Sequence, residues 1–139
     1  MSIENPINSP PQRREVRARF FVVDDDANCR SAISDIIRSV SPDAEIYFAD
    51  SGRVALWEIV QQTVEIVITD YYMPGMDGGT LSEKLREAGY RGQIILISGN
   101  PAVAPVAAES GANAFVFKMR MLEELPPKLK EAMHLYQSE

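Results

Sequence analysis

With 139 residues, 45% of them apolar and 24% charged, the chain has the length and composition of one globular domain with a proper core, not of a disordered segment. A net charge of −6 argues against nucleic acid as a direct ligand, and no apolar run approaches the roughly 18 residues that would span a bilayer. The single cysteine, Cys29, cannot close an internal disulfide, which fits a reducing, cytoplasmic setting.

The charge is uneven: residues 1–19 carry four Arg against two Glu, a balance of +2, and the remainder therefore carries −8. Pro6, Pro10 and Pro11 among Asn and Ser make residues 1–17 read as a flexible leader without a signal peptide's apolar stretch. The cluster Arg13, Arg14, Arg17 and Arg19 reads as a solvated approach to the first strand rather than as a contact with an acidic partner or a membrane. The domain proper is expected over 18–139.

Residues 18–23 are a buried strand, after which Asp26 or Asn28 can cap a helix. On that helix Cys29, Ala32, Ile33, Ile36, Ile37 and Val40 recur at three- and four-residue spacing, a core-facing stripe in which Cys29 is a packed, inert thiol. A second strand spans 44–49, with Ile46 and Phe48 on one face. The helix opened by Asp50-Ser51-Gly52 should turn Val54, Ala55, Ile59 and Val60 inward and lay Trp57 along a groove. A third strand spans 65–70; its Ile-Val-Ile core is apolar on both faces, as in a central parallel strand, and it ends at Asp70. Pro-Gly and Asp-Gly-Gly turns follow it.

A third helix at 79–87 is ended by Gly89, and a fourth strand spans 93–98. Pro101 suits a first helical position, while Pro105 should leave the fourth helix short or irregular at its start. A fifth strand at 113–117 runs into Lys118. Pro126-Pro127 should delay the last helix until about residue 125, from where it reaches about 136. His134 sits alone on that helix and reads as a solvated surface residue. The order βαβαβαβαβα with short connections dictates an α/β fold, a three-layer sandwich around a parallel sheet.

Three strands thus end in charged residues at one edge: Asp24-Asp25-Asp26, Asp70 and Lys118. That edge is where open α/β folds build their sites. Asp25 and Asp70 offer hard oxygens from neighbouring strand ends, which suits Mg²⁺, and a divalent ion relieves the repulsion between clustered carboxylates.

Val22-Val23-Asp24-Asp25-Asp26, Asp70 with Met73-Pro74-Gly75-Met76-Asp77-Gly78, then Ser98 and Lys118, come in this order and each at a strand end. On these residues, 19–136 resemble the receiver domain of two-component response regulators, of the single-domain, chemotaxis-regulator kind. The resemblance implies a flavodoxin-like, doubly wound sheet of five parallel strands in the order 2-1-3-4-5 with five helices. It implies that Asp70 takes a phosphoryl group from a phosphohistidine of a sensor histidine kinase or a histidine phosphotransfer protein, using Mg²⁺. Asp25, Asp70 and the backbone carbonyl of Tyr72 would hold the ion, Asp24 would act through water, and Asp26 matches no site position. Lys118 and Ser98 would contact the phosphoryl oxygens, with Ser98 and Phe115 as the switch pair.

The output surface would be helix four, strand five and helix five, for an unidentified downstream protein or for a homodimer. Tyr72 and Asn100, two residues past the nucleophile and the switch hydroxyl, would flank the line of hydrolytic attack and tune dephosphorylation. Such a domain is a signalling module, not an enzyme beyond its own phosphorylation and slow dephosphorylation. Met119 stands where the family usually has proline, so a trans bond is expected after Lys118. The alternative is a metal-dependent aspartyl-phosphate phosphohydrolase, which needs a second acid where this chain has Tyr72. A nucleotide-binding sheet would need a glycine-rich loop after the first strand, and none follows it.

Overall fold

The structure, a computed structural model, describes residues 17–137. The expected leader therefore lies almost entirely outside the described residues, as do Arg13 and Arg14. Strands β1 (Arg19–Val23), β2 (Glu45–Ala49), β3 (Ile66–Asp70), β4 (Gln93–Ser98) and β5 (Ala114–Phe117) alternate with helices. The helices are α1 (Ala27–Val40), α2 (Gly52–Ile59), α3 (Gly78–Glu87), α4 (Ala104–Glu109) and α5 (Met121–Gln137). Every strand ends at the predicted residue, because each largely apolar run is followed or closed by a polar or charged residue.

The strands form one parallel sheet in the order β2-β1-β3-β4-β5. Strand β3 is central and buried along its whole length, as expected of a strand apolar on both faces. Alternation divides its neighbours between two cores. Phe20, Val22, Ile66, Ile68 and Val116 meet Ile33, Ile37, Leu125 and Leu129 of α1 and α5. Phe21, Val23, Val67 and Ile94 meet Ala55, Ile59, Leu81 and Leu85 of α2 and α3. Each Val, Leu, Ile or Phe side chain so withdrawn from water contributes about 1.5–3 kcal/mol. A smaller cluster of Leu96, Val103 and Ala107 lies under α4.

The caps follow local chemistry. Asp26, not Asn28, caps α1 by accepting from the Asn28 N–H, and Ser51 and Asp77 cap α2 and α3 in the same way. Pro101 opens a 3₁₀ turn, Pro101–Val103, capped by Asn100, and α4 is only six residues long, as its prolines predict.

Two expectations fail. Helix α5 begins at Met121, after a 3₁₀ turn at Lys118–Arg120, and carries Pro126 and Pro127 inside it. The two missing amides would have served the carbonyls of Leu122 and Glu123, both exposed residues whose oxygens water can take. The early start is secured by Glu124, whose carboxylate accepts from the Phe117 N–H at 2.9 Å, and by the fully buried Leu125. On α2 only Ala55 and Ile59 of the expected inward residues are buried. Val54 and Val60 are exposed, and Trp57, 69% exposed, lies in no groove. The helix covers an edge of the sheet, and one i, i+4 pair is enough to seat it. Phe48, on the outermost strand, is likewise largely open to solvent. The Lys118–Met119 bond is trans, as expected.

Candidate functional site

The same alternation assembles the site. Asp70 shares its face of β3 with Ile66 and Ile68, and Asp24 follows the buried Phe20 and Val22 one step beyond β1. Lys118 follows Val116 past β5, so all three converge on the α1/α5 side of the carboxyl edge. Lys118 Nζ stands 3.7 Å from Asp70 Oδ2 and 3.9 Å from Asp24 Oδ2. One carboxylate oxygen each from Asp24, Asp25 and Asp70 lie within 4.8 Å of one another.

The loops that present these acids are braced. The Asp26 N–H donates to Asp24 Oδ1 at 2.9 Å, and the Arg30 guanidinium donates to the Asp24 carbonyl at 2.8 Å. Past Asp70, the Tyr71 N–H donates to the Ile97 carbonyl and the Gly78 N–H returns to the Tyr71 carbonyl, both at 2.8 Å. A Cβ at Gly78 would strike the Asp70 carbonyl oxygen and the Tyr71 Cα, so only glycine lets α3 start this close to the strand end. Arg30 and Glu124 were not singled out from the sequence. Each is a charged residue on an amphipathic helix, with nothing in its spacing to mark it.

Burial and the Asp24 carboxylate push the Asp70 carboxyl up to about 6, against the pull of Lys118. Burial opposes the charge on Lys118, but Asp70, Cys29 and Asp24 outweigh it and raise the ammonium. The Cys29 thiol is pushed up to about 12 by burial and by Asp24, which keeps it protonated and inert as expected. Asp24 Oδ2 is buried and has no hydrogen-bond partner. A buried carboxylate oxygen left unsatisfied beside two further acids is a site short of positive charge, and an all-oxygen donor set is what Mg²⁺ takes. The residues present therefore fit the ion. Asp24 and Asp70 are the buried acids of the group and Asp25 the exposed one.

Ser98 is fully buried at the end of β4, on the face opposite Asp70, where its Oγ accepts from the Asn100 N–H at 3.0 Å. Phe115 is half-buried in the cluster under α4, together with Tyr71, a residue the sequence did not bring forward. Tyr72 is 55% exposed, stands edge-on to Tyr71 with ring centroids 4.8 Å apart, and accepts from Asn100 Nδ2 at 3.2 Å. The two residues expected to flank the approach to Asp70 are thus tied to each other. Met119 and Leu122, 81% and 78% exposed, lie beside Lys118 at the same edge.

A doubly wound parallel sheet with an acidic crevice and a lysine outside its carboxyl ends, at the point where strand order reverses between β1 and β3, defines an open α/β protein with its site at the topological switch point. The response regulator receiver domain model matches residues 20–130, and the chain belongs to that family. It is 31% identical over 118 residues to the response regulator protein TodT of Pseudomonas putida, covering 84% of this chain and 51% of TodT. It is 26% identical over 131 residues to the cyclic di-GMP phosphodiesterase response regulator RpfG of Xanthomonas campestris, covering 91% of this chain and 34% of RpfG. The chain therefore spans about half or less of the length of these relatives. Among solved structures, the response regulator TrrA of Thermotoga maritima, in complex with Mg²⁺ and BeF, superposes with a TM-score of 0.75 at 27% identity, covering 83% of this chain and 98% of that one. The expected fold, strand order and family hold. Among the described residues no helix is long and apolar enough to cross a membrane.

Proposed function

We propose that this chain is the phosphoacceptor module of a two-component system, taking a phosphoryl group onto Asp70 from a phosphohistidine of a sensor histidine kinase or a histidine phosphotransfer protein. The observation that carries the reading is Asp70 at the end of the central strand, beside the Lys118 ammonium and inside the three-acid cluster. An Asp70 carboxylate oxygen forms the bond to phosphorus as the P–N bond of the phosphohistidine breaks, its electron pair passing to the imidazole nitrogen. Lys118 neutralises charge on one phosphoryl oxygen, and the Ser98 hydroxyl, once turned from Asn100, donates to another. Asp25, Asp70 and the Tyr72 carbonyl would hold Mg²⁺, and Asp24 would act on it through water. When bound, the ion supplies charge neutralisation to the phosphoryl group.

Residues 18–139 form the receiver unit, preceded by a leader, and the setting is cytoplasmic. Met119 and Leu122 offer an apolar rim for the donor protein. Turning Ser98 and drawing Phe115 inward alters the surface of α4, β5 and α5, where a downstream protein or a second copy binds. The module acts by binding, and its only chemistry is its own phosphorylation and slow dephosphorylation. A phosphohydrolase reading finds no support, since Tyr72 stands where a second acid is required.

The test is incubation with acetyl phosphate and Mg²⁺, hydride reduction of the acyl phosphate, and location of the product by mass spectrometry. Label is expected on Asp70 and none in Asp70→Asn; label on another residue would sink the assignment. The same preparation tests Tyr72. A ring over the mouth hinders a water in line with the phosphorus, so phosphate release from Tyr72→Asn is expected to be about tenfold to a hundredfold faster in single turnover. Release no faster than wild type would show that Tyr72 shields nothing.

A further inference from the structure

We infer that the Tyr72–Asn100 hydrogen bond is a latch that holds the start of α4 in its resting arrangement. The inference rests on the phosphoacceptor reading and adds to it a built-in bias toward the unphosphorylated state.

Asn100 is a hub. Its N–H donates to Ser98 Oγ, its Oδ1 accepts from the Ala102 N–H, and its carbonyl accepts from the Val103 N–H, each at 3.0 Å. Through these three bonds it ties the end of β4 to the 3₁₀ turn that leads into α4. Its remaining donor, Nδ2, reaches across the carboxyl edge to the Tyr72 hydroxyl at 3.2 Å. Tyr72 follows Asp70 by two residues, and its ring rests edge-on against Tyr71, which packs in the cluster with Val103 and Phe115. One bond therefore joins the loop after the nucleophile to the element that carries the output.

That element is easily biased. Helix α4 has six residues, no side-chain cap at its start and Pro105 in its first turn, and within it only Ala107 is fully withdrawn from solvent. Ser98 cannot swing toward Asp70 without pulling on or releasing the Asn100 N–H. While Asn100 is anchored to Tyr72 it resists being pulled along, so the turn into α4 can follow Ser98 only by straining or breaking the bond across the edge. A single exposed hydrogen bond is small, but two arrangements of a weak helix need differ by little for it to shift their populations.

Tyr72→Phe keeps the ring and its contact with Tyr71 and removes only the hydroxyl. Two measurements are made on both proteins. The first is ¹⁵N relaxation dispersion at residues 100–108 in the absence of any phosphoryl mimic, which reads the minor-state population directly. The second is affinity for beryllofluoride with Mg²⁺, a phosphoryl mimic. Loss of the latch is expected to raise the minor-state population about two- to fivefold and to tighten beryllofluoride binding by a similar factor. Unchanged dispersion in Tyr72→Phe overturns the latch, whatever the affinity does. Failure of the wild type to bind beryllofluoride counts against the phosphoacceptor reading instead, and the dispersion comparison still decides the latch.

Discussion

Asp70→Asn is expected to raise the thermal midpoint of the metal-free protein at pH 7.5 by about 3–9 °C, a gain of about 1–3 kcal/mol. The residue proposed to be indispensable for phosphorylation is, without metal, a burden on the fold. Its carboxyl sits at about 6 in the folded chain against 3.8 as the ordinary value, chiefly through burial and the neighbouring Asp24. A folded-state value above the unfolded one means that the native protein keeps a proton the unfolded chain has lost. Stability therefore falls as pH rises from about 4 to about 6, and the penalty is fully present above that window. Two pH units correspond to about 3 kcal/mol, an upper bound because an asparagine amide is also buried there. The gain from Asp70→Asn should accordingly vanish toward pH 4. Mg²⁺ should narrow it at pH 7.5 by binding the folded wild type through the acids. Thermal melts at pH 4, 6 and 7.5, with and without Mg²⁺, check all three points; a gain that grows as pH falls would refute the electrostatic account.

The second large effect is structural. Gly78→Ala is expected to destabilise the protein by about 2–4 kcal/mol and to slow phosphorylation by about a hundredfold. The added methyl would collide with the Asp70 carbonyl oxygen and the Tyr71 Cα. Both are backbone atoms, so neither can swing aside as a side-chain tip would. Either α3 withdraws from β3, opening the core around Leu81 and Leu85, or the segment after Asp70 is displaced and takes the carboxylate with it. Gly99→Ala, in the loop between Ser98 and Asn100, is the control: a Cβ there meets nothing within 4 Å. It is expected to change stability by no more than about 0.5 kcal/mol. Chemical denaturation of the two variants separates them, and equal midpoints would show that the close approach at Gly78 is not a constraint.

The strands and the acid–lysine convergence were legible because they follow from alternation. A β-branched run cut by Asp or Lys fixes both where the strand stops and which face its last side chain takes. What escaped the sequence has physical reasons too. Helix α2 carries apolar residues on more than one side, and periodicity alone cannot say whether Ala55 and Ile59 or Val54 and Trp57 meet the sheet. The start of α5 was misplaced because Pro126 and Pro127 disrupt only carbonyls that water reaches, while the anchor, Glu124 to Phe117, lies across a turn. Asn100 and Tyr72 were both brought forward for the site, yet nothing in a spacing of 28 residues announces a hydrogen bond between them.

Strand β3 is paired on both sides and buried at every residue, whereas α4 is a single short turn and a half resting on a small cluster. In hydrogen-exchange terms these are opposite ends of the protein's stability range. The amides of Ile68 and Thr69 are expected to exchange only when the whole domain opens, and those of α4 through a local, low-cost unfolding. The carboxylate proposed to carry a hydrolysable group is thus mounted on the last backbone to open, and the surface proposed to report it is built from some of the first.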